Sequence, residues 1–406
     1  MALSIGKVTL ILTLFISTLS ICKSQSTDKI MIVIIDGARY SETLGDPTHT
    51  YTPEMWDLAT EGTVVDNFTN DGITKTYRAI PALWCGAWTD VHDTVYQGSD
   101  TQYAGLPSIF EYYRKQKNMP AEECFYILKH ISSLWLPSFD PDYGSDYWPE
   151  FHSVGSTDED VATEVQWVMD NHHPHFMLVY LADVDHAGHS GNWLEYTGAI
   201  RIADSIVEVL WQKLQADPFY KDSTTLIITN DHGRHDDQHG GFKSHGDGCE
   251  GCRHIQFLAV GPHIKKNFVS NIDRSIPDMA VTASSLLGID PEKSTGNIMH
   301  EIFDLDGINE ATNQNLTLEK SHPNPFKNST SISYYLSKAT EVHLRVFNVN
   351  GEEIATLLNE RQSPGSQTAK WDATDYHGRK VSTGIYYYVL QAGRQSATGK
   401  LLFVDR

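Results

Sequence analysis

Residues 29–37 read KIMIVIIDG, an apolar strand-like run that ends abruptly in Asp36 and Gly37. Aliphatic, partly β-branched side chains without polar alternation mark a strand buried on both faces, as in a sheet covered on both sides. The pattern returns at Phe176–Leu181 (FMLVYL), Thr224–Thr229 (TTLIIT) and Gln256–Val260 (QFLAV). Between the second and third runs, Ile200, Ala203, Val207, Leu210 and Leu214 recur at three- and four-residue steps. That spacing predicts one buried helix face over Tyr196 to Leu214. Strand, helix, strand in this order predicts an α/β doubly wound, mostly parallel sheet with helices on both faces.

Three of these runs end in reactive groups. The first leads into Asp36-Gly37, and the second into Ala182-Asp183-Val184-Asp185-His186-Ala187-Gly188-His189. The third leads into Asn230-Asp231-His232-Gly233. Carboxyl ends of strands line the ligand crevice of an open α/β sheet, so these acids and imidazoles can converge there. One Asp after one strand is an ordinary turn residue, and one His is more often a satisfied interior residue than a ligand. Three strand ends carrying Asp, or Asp with His, point instead to metal binding. Carboxylate with imidazole favours zinc or a similar transition metal, manganese among them, over the oxygen-only shells of magnesium and calcium. Two such ions can polarise a phosphoryl group, activate a nucleophile and help the leaving oxygen depart.

With these residues in view, the chain resembles the alkaline phosphatase superfamily, particularly its nucleotide pyrophosphatase/phosphodiesterase branch. The likeness runs from about Lys29 to Lys265. Thr52-Pro53 through Leu58-Ala59 and Glu61-Gly62 is similar to the family's "TP…LA.EG" stretch, and Asp185 with His189 to its "D..GH" pair. Asn230-Asp231-His232-Gly233 is similar to "SDHG", and Lys243-Ser244-His245-Gly246 to the segment of the last histidine. Thr74-Lys75-Thr76, with Gly86 ten residues past Thr76, resembles the nucleophile segment. The resemblance implies one metal held by Asp185, His189 and His245, and another by Asp36, Asp231 and His232 with Thr76 beside it. His235 and His239 compete with His245, which is preferred for its His-Gly context, and Thr74 competes with Thr76 but stands twelve residues before Gly86 and fits less well. Attack by Thr76 would give a phospho-threonine intermediate. Three Asp and a threonine alkoxide balance two divalent ions and neutral imidazoles, so the site would be near neutral.

Departures from the pattern matter. Cys85 stands where Thr is usual, and Tyr77-Arg78-Ala79-Ile80-Pro81 replaces the diesterase "FPNH". Gln97 falls where relatives carry a phosphoryl-contacting Asn, and Arg78 offers a guanidinium fork suited to a monoester dianion. A phosphodiesterase is the first expectation and a phosphomonoesterase the alternative. A sulfatase is disfavoured, because Thr76 cannot form the sulfatase aldehyde and no "CxPSR" or "SxPSR" segment is present. A catalytically silent surface binding protein is the reading from another class, and intact ligands at all three strand ends argue against it.

At 406 residues the chain exceeds one ordinary core. Its net charge of -21 argues against nucleic acid or an anionic membrane as partner, and makes a phosphate-binding site depend on local cations. Lys7, then the mostly apolar run Val8 to Ile21 and Cys22-Lys23-Ser24, reads as a signal peptide over 1–24, too short to span a membrane comfortably. Export follows, to the medium or the cell surface. The expected division is a catalytic domain over 28–308, a linker over 309–322 and a small all-β sandwich over 323–406. The last segment resembles the type A sorting domain of type IX secretion, through His322-Pro323-Asn324-Pro325-Phe326, Val346–Gly351, Trp371-Asp372 and Gly384–Tyr388. That resemblance implies the secretion machinery as partner beside a small phosphate ester. An immunoglobulin-like carbohydrate-binding or docking module is the competing view. Cys249-Glu-Gly-Cys252 reads as a local disulfide before a metal clip, since no second CxxC completes a four-cysteine site.

Overall fold

The computed structural model describes residues 29–129, 136–304, 316–318, 321–336, 338–348, 353–392 and 395–405. The expected signal peptide, most of the expected linker, and the turn glycines Gly351 and Gly393 lie outside the described residues. No helix among the described residues is long and apolar enough to cross a membrane. The chain divides into a compact unit over Gln25–Asn309 and another that contains Glu310–Arg406.

The larger unit is built on an eight-stranded sheet. In chain order its strands are β1 Lys29–Ile35, β2 Gly62–Val65, β3 Cys124–Lys129, β4 Glu150–Val154, β5 Phe176–Leu181, β6 Thr224–Thr229, β7 Phe257–Val260 and β8 Phe268–Ser270. Their spatial order is β8-β2-β7-β6-β1-β5-β3-β4. β1 lies at the centre, parallel to β6 and β5, and β7 alone runs against its neighbours. This is the expected α/β fold with a mostly parallel sheet.

The strand pleat explains the continuous apolar runs. Ile30, Ile32 and Ile34 face one core with the helices Thr76–Cys85, Ile109–Lys117 and Ile276–Leu287. Met31, Val33 and Ile35 face a second core with Pro53–Ala59, Asp158–Asn171 and Trp193–Ala216. Every residue of β1 is buried, so both faces must be apolar. The periodic helix runs Trp193–Ala216, and Ile200, Ala203, Val207, Leu210 and Leu214 are its buried stripe. Asn192 caps it, its side chain accepting from the Leu194 and Glu195 amides.

The smaller unit is all-β. Its strands are β9 Leu316–Leu318, β10 Thr330–Leu336, β11 Thr340–Phe347, β12 Glu353–Gln362, β13 Gly365–Trp371, β14 Gly384–Ala392 and β15 Gln395–Phe403. A three-stranded sheet β9-β10-β13 and a four-stranded sheet β12-β11-β14-β15 share a core around Trp371, Leu344 and Phe403. Alternate burial along β10 and β11 is the signature of sheets with one dry face.

Candidate active site and metal centre

Parallel strands β1, β5 and β6 deliver their carboxyl ends to one crevice. Asp36 follows β1 directly, Asp231 and His232 follow β6, and Asp185 opens off β5 on the short helix Asp183–Ser190. That helix puts Asp185 and His189 one turn apart on the same face, with His189 Nε2 3.2 Å from Asp185 Oδ2. Gly37 lets the β1 end close on β5. Its φ is +70°, and a Cβ there would lie 2.7 Å from Asp185 Oδ1.

Two donor groups form. Asp36, Asp231 and His232, all buried, offer ligand atoms within 4.8 Å of one another, and so do Asp185, His232 and His245. His232 Nε2 lies 3.4 Å from Asp36 Oδ1 and 3.4 Å from Asp231 Oδ2. His245 Nε2 lies 3.2 Å from His189 Nε2 and 3.5 Å from Asp185 Oδ1. The rings of His232 and His245 stack at 4.0 Å.

The second nitrogen of each ring fixes the tautomer. His232 Nδ1 is 2.8 Å from the Gly233 carbonyl, and His245 Nδ1 is 3.1 Å from the Thr74 carbonyl. A carbonyl only accepts, so each Nδ1 carries the proton and each Nε2 turns its lone pair inward. Asp36 Oδ1 and Asp231 Oδ2 are buried and have no hydrogen-bond partner. Unpaired carboxylate oxygens facing imidazole lone pairs repel one another, and a cation between them removes that repulsion. The donor set therefore fits divalent metal.

The titration directions agree. Burial, then the charges of Asp231 and Asp185, push Asp36 well above the carboxylate range. Burial pushes Asp231 up to about 7. Burial also acts on Asp185, but the His189 hydrogen bond and the neighbouring His232, Arg234 and His245 outweigh it and hold that carboxyl well below its usual range. Burial and the charge of His232 bring His245 down to about 4, which keeps it neutral and able to ligate.

Thr76 is the first residue of the helix Thr76–Cys85, and its Oγ1 stands 3.0 Å from His232 Nε2. The positive end of the helix dipole thus lies at this hydroxyl. The next residue, Tyr77, is exposed and lines an open groove of about 960 Å³ with Asp93, Thr94, Val95, Asp100, Thr101 and Gln102. Thr74 is buried, its hydroxyl unpartnered and its carbonyl engaged by His245.

Not every expected residue joins the cluster. Gln97 is exposed at the tip of the hairpin formed by Val91–Tyr96 and Ser99–Ala104, with φ 50°. Arg78 donates through Nη2 to the Thr89 carbonyl at 3.2 Å. Neither hydrogen-bonds or ion-pairs with Thr76 or the ligands among the described residues. His235 and His239 lie in two other groups, with Asp247 and Cys252 and with Asp236 and Cys249. All four described cysteines are free thiols, so the expected Cys249–Cys252 disulfide is not formed. Next to the Val91–Ala104 hairpin lies the segment 136–154. Trp148 is buried, donates to the Ser138 carbonyl at 2.7 Å and meets Tyr96 and Phe139 edge-on.

Three supporting residues escaped the sequence reading. Arg234, fully buried, pairs with Asp185 and donates to the carbonyls of Phe242 and Lys243, which fastens the His245 loop to the β5 end. Tyr180 donates its hydroxyl to Asp36 Oδ2. Asn70 Nδ2 donates to the Asp231 carbonyl at 2.8 Å. Only Arg234 left a signal, as the residue immediately after the Asp-His-Gly motif.

A family model described as type I phosphodiesterase / nucleotide pyrophosphatase matches residues 30–240, and one described as FlgD Ig-like domain matches residues 324–396. Among solved structures, the chain is similar to murine ectonucleotide pyrophosphatase / phosphodiesterase 5, as an inactive variant in complex with AMP. Identity there is 15%, over 68% of this chain and 100% of that chain, with a TM-score of 0.50. It is also similar to a 2-O GAG sulfatase at 13% identity, over 85% of this chain and 84% of that one, TM-score 0.53. A sulfatase from Pseudoalteromonas sp. gives 14% identity, 84% and 83% coverage and a TM-score of 0.50. At such identities these likenesses show the fold alone. No curated protein matches the chain.

Proposed function

This chain belongs to the type I phosphodiesterase / nucleotide pyrophosphatase family, and from that premise we propose that it is an exported, two-metal phosphoric ester hydrolase acting through Thr76. The observation that carries the reading is Thr76 Oγ1 at 3.0 Å from His232 Nε2, beside two buried carboxylate oxygens without partners. Asp36, Asp231 and His232 would hold one ion next to Thr76, and Asp185, His189 and His245 the other. Two divalent ions, zinc before manganese, would supply a lowered pKa for the Thr76 hydroxyl and polarisation of the phosphoryl oxygens.

The chain's own groups supply positioning. Thr76 gives up its hydroxyl proton to solvent as Oγ1 attacks phosphorus in line; the Oγ1–phosphorus bond forms as the bond to the leaving oxygen breaks, and the leaving oxygen takes a proton from solvent. Water then displaces Thr76 from the phospho-threonine. The positive end of the Thr76–Cys85 helix faces the added charge throughout. The groove beside Tyr77 suits the leaving group. Among the described residues its lining holds Asp93 and Asp100 and no basic side chain, which favours a diester with an uncharged leaving group over a polyphosphate. The murine neighbour bound to AMP makes a nucleoside phosphodiester the first natural substrate to try.

Rates on bis(p-nitrophenyl) phosphate and p-nitrophenyl phosphate order the two ester classes, and a strong monoester preference would make this a phosphomonoesterase instead. Thr76→Ala should lower turnover by at least ~10³-fold while metal stays bound; an active variant would remove Thr76 from the role. We carry the catalytic domain as 28–308 and the C-terminal module as 323–406. Its sorting motifs support type IX export, with loss of the module from the mature enzyme as the mark. A module retained after export would favour the docking role that suits the FlgD Ig-like match.

A further inference from the structure

A second constellation of ligand atoms lies in the segments that follow His232 and His245. His235, Asp247 and Cys252 each offer one donor atom, all within 4.8 Å of one another. His235 Nε2 is 3.3 Å from Asp247 Oδ1, and Cys252 Sγ is 3.5 Å from the same oxygen. Cys252 is buried and its thiol interacts with that of Cys249 one helical turn earlier. Nitrogen, oxygen and sulfur donors with a Cys-x-x-Cys spacing are the preferred set of a borderline-soft ion such as zinc.

We propose that His235, Asp247 and Cys252, with Cys249 as fourth donor, form a structural zinc-class metal site separate from the catalytic centre. One imidazole, one carboxylate and two thiolates would close a tetrahedral shell and leave no open position for substrate. On binding, each S–H bond breaks, a sulfur–metal bond forms and the proton passes to solvent.

The site's place in the fold gives it a role. Cys252 lends its carbonyl to the Gly233 amide at 2.9 Å, and the His235 amide donates to the Ser244 carbonyl at 2.8 Å. Its ligands therefore flank the two segments that present His232 and His245. Between His239 and Cys249 the chain runs through Gly240, Gly241, Gly246 and Gly248, all at positive φ, with no helix or strand to hold it. A metal clip at the base of that loop would fix His245 where backbone hydrogen bonds are few. The competing use of the same cysteines is a disulfide, which would withdraw both sulfurs from the metal.

Cobalt separates the outcomes, because thiolate–cobalt charge transfer absorbs in the near ultraviolet and the catalytic ligands include no sulfur. The full chain, stripped with chelator and titrated with Co(II), should show that band. Cys252→Ser should abolish it and lower the bound metal by one equivalent per chain. Asp247→Asn, at an exposed position that spares the core, should weaken cobalt binding at this site by at least tenfold. A band that is absent, or unchanged in both variants, overturns the proposal. So does alkylation mapping that finds Cys249 and Cys252 already joined in the metal-loaded protein.

Discussion

Replacing Arg234 with Met tests whether the active-site halves are held together as the geometry implies. The guanidinium is fully buried, pairs with Asp185 and donates to two carbonyls of the loop that leads to His245. Methionine fills much of the volume but leaves a largely buried carboxylate and two carbonyls without their donor. Removing one partner of a buried pair costs about 3–5 kcal/mol. At roughly 2–4 °C per kcal/mol, the melting temperature should fall by about 10 °C. Arg234→Lys keeps the charge but cannot span three acceptors, so about half that loss should remain. Differential scanning calorimetry on the metal-free chain reads the shift, and elemental analysis should show weaker metal retention at the site that includes His245. A double-mutant cycle with Asp185→Asn should give a coupling of about 1–3 kcal/mol. Additive losses, or an Arg234→Met protein melting within about 2 °C of wild type, would refute the clamp.

Gly188→Ala attacks the same clamp from the other side, since its Cβ would sit 2.4 Å from Arg234 Nε; a loss of about 1–3 kcal/mol is expected by chemical denaturation. Burial pushes Glu111 up to about 7, from 4.5, against hydrogen bonds from Ser138 and Ser108. Its neutral form is favoured in the fold, so this stability is full below about pH 4.5 and drains away as pH rises through about 7, by roughly 3 kcal/mol in all. Denaturation across that range should show the slope, and Glu111→Gln should flatten it. Asp36→Asn should stabilise the chain in chelator by about 1–3 kcal/mol, by removing the cost of burying or protonating that carboxylate, and destabilise it in excess zinc; melts with the same sign in both buffers would count against a metal at Asp36.

Asp36, Asp185, Asp231 and His232 were legible because each stands where a buried strand ends, and a strand buried on both faces announces itself as an apolar run; His245 and Thr76 came only from the resemblance. β1, β5 and β6 are of that kind. Nothing comparable marks the direction of β7, since the same four apolar residues serve either way. β12 went unseen because EIATLLNERQ buries Ala355 alone, leaves its other side chains part-exposed or exposed, and has its pairing with β11 broken by register shifts, which erase the alternation. Gln97 was placed by counting along the chain, and it falls at the tip of the hairpin Val91–Ala104, whose length is not set by the sheet. Arg234 and Tyr180 were hidden by type: a charged residue in a loop reads as surface, and a tyrosine inside FMLVYL reads as core. Both act through one polar end that only the fold can aim.

The two halves of the cluster are compensated differently, and the difference bears on how the site works. Asp185 has the chain's own cation beside it, so its charge is met before any metal arrives. Asp36 and Asp231 have no such partner: Tyr180 donates to one Asp36 oxygen, backbone amides serve one oxygen of Asp231, and the remaining oxygens face inward unpaired. That half can discharge its repulsion only by taking up protons or a cation, and it is the half that Thr76 adjoins. A chain carrying -21 overall would repel a phosphate ester from most of its surface. Under the proposed reading, leaving uncompensated charge deep in one crevice, against a helix N-terminus and Thr76, would concentrate the demand for cations at the place where the ester would react.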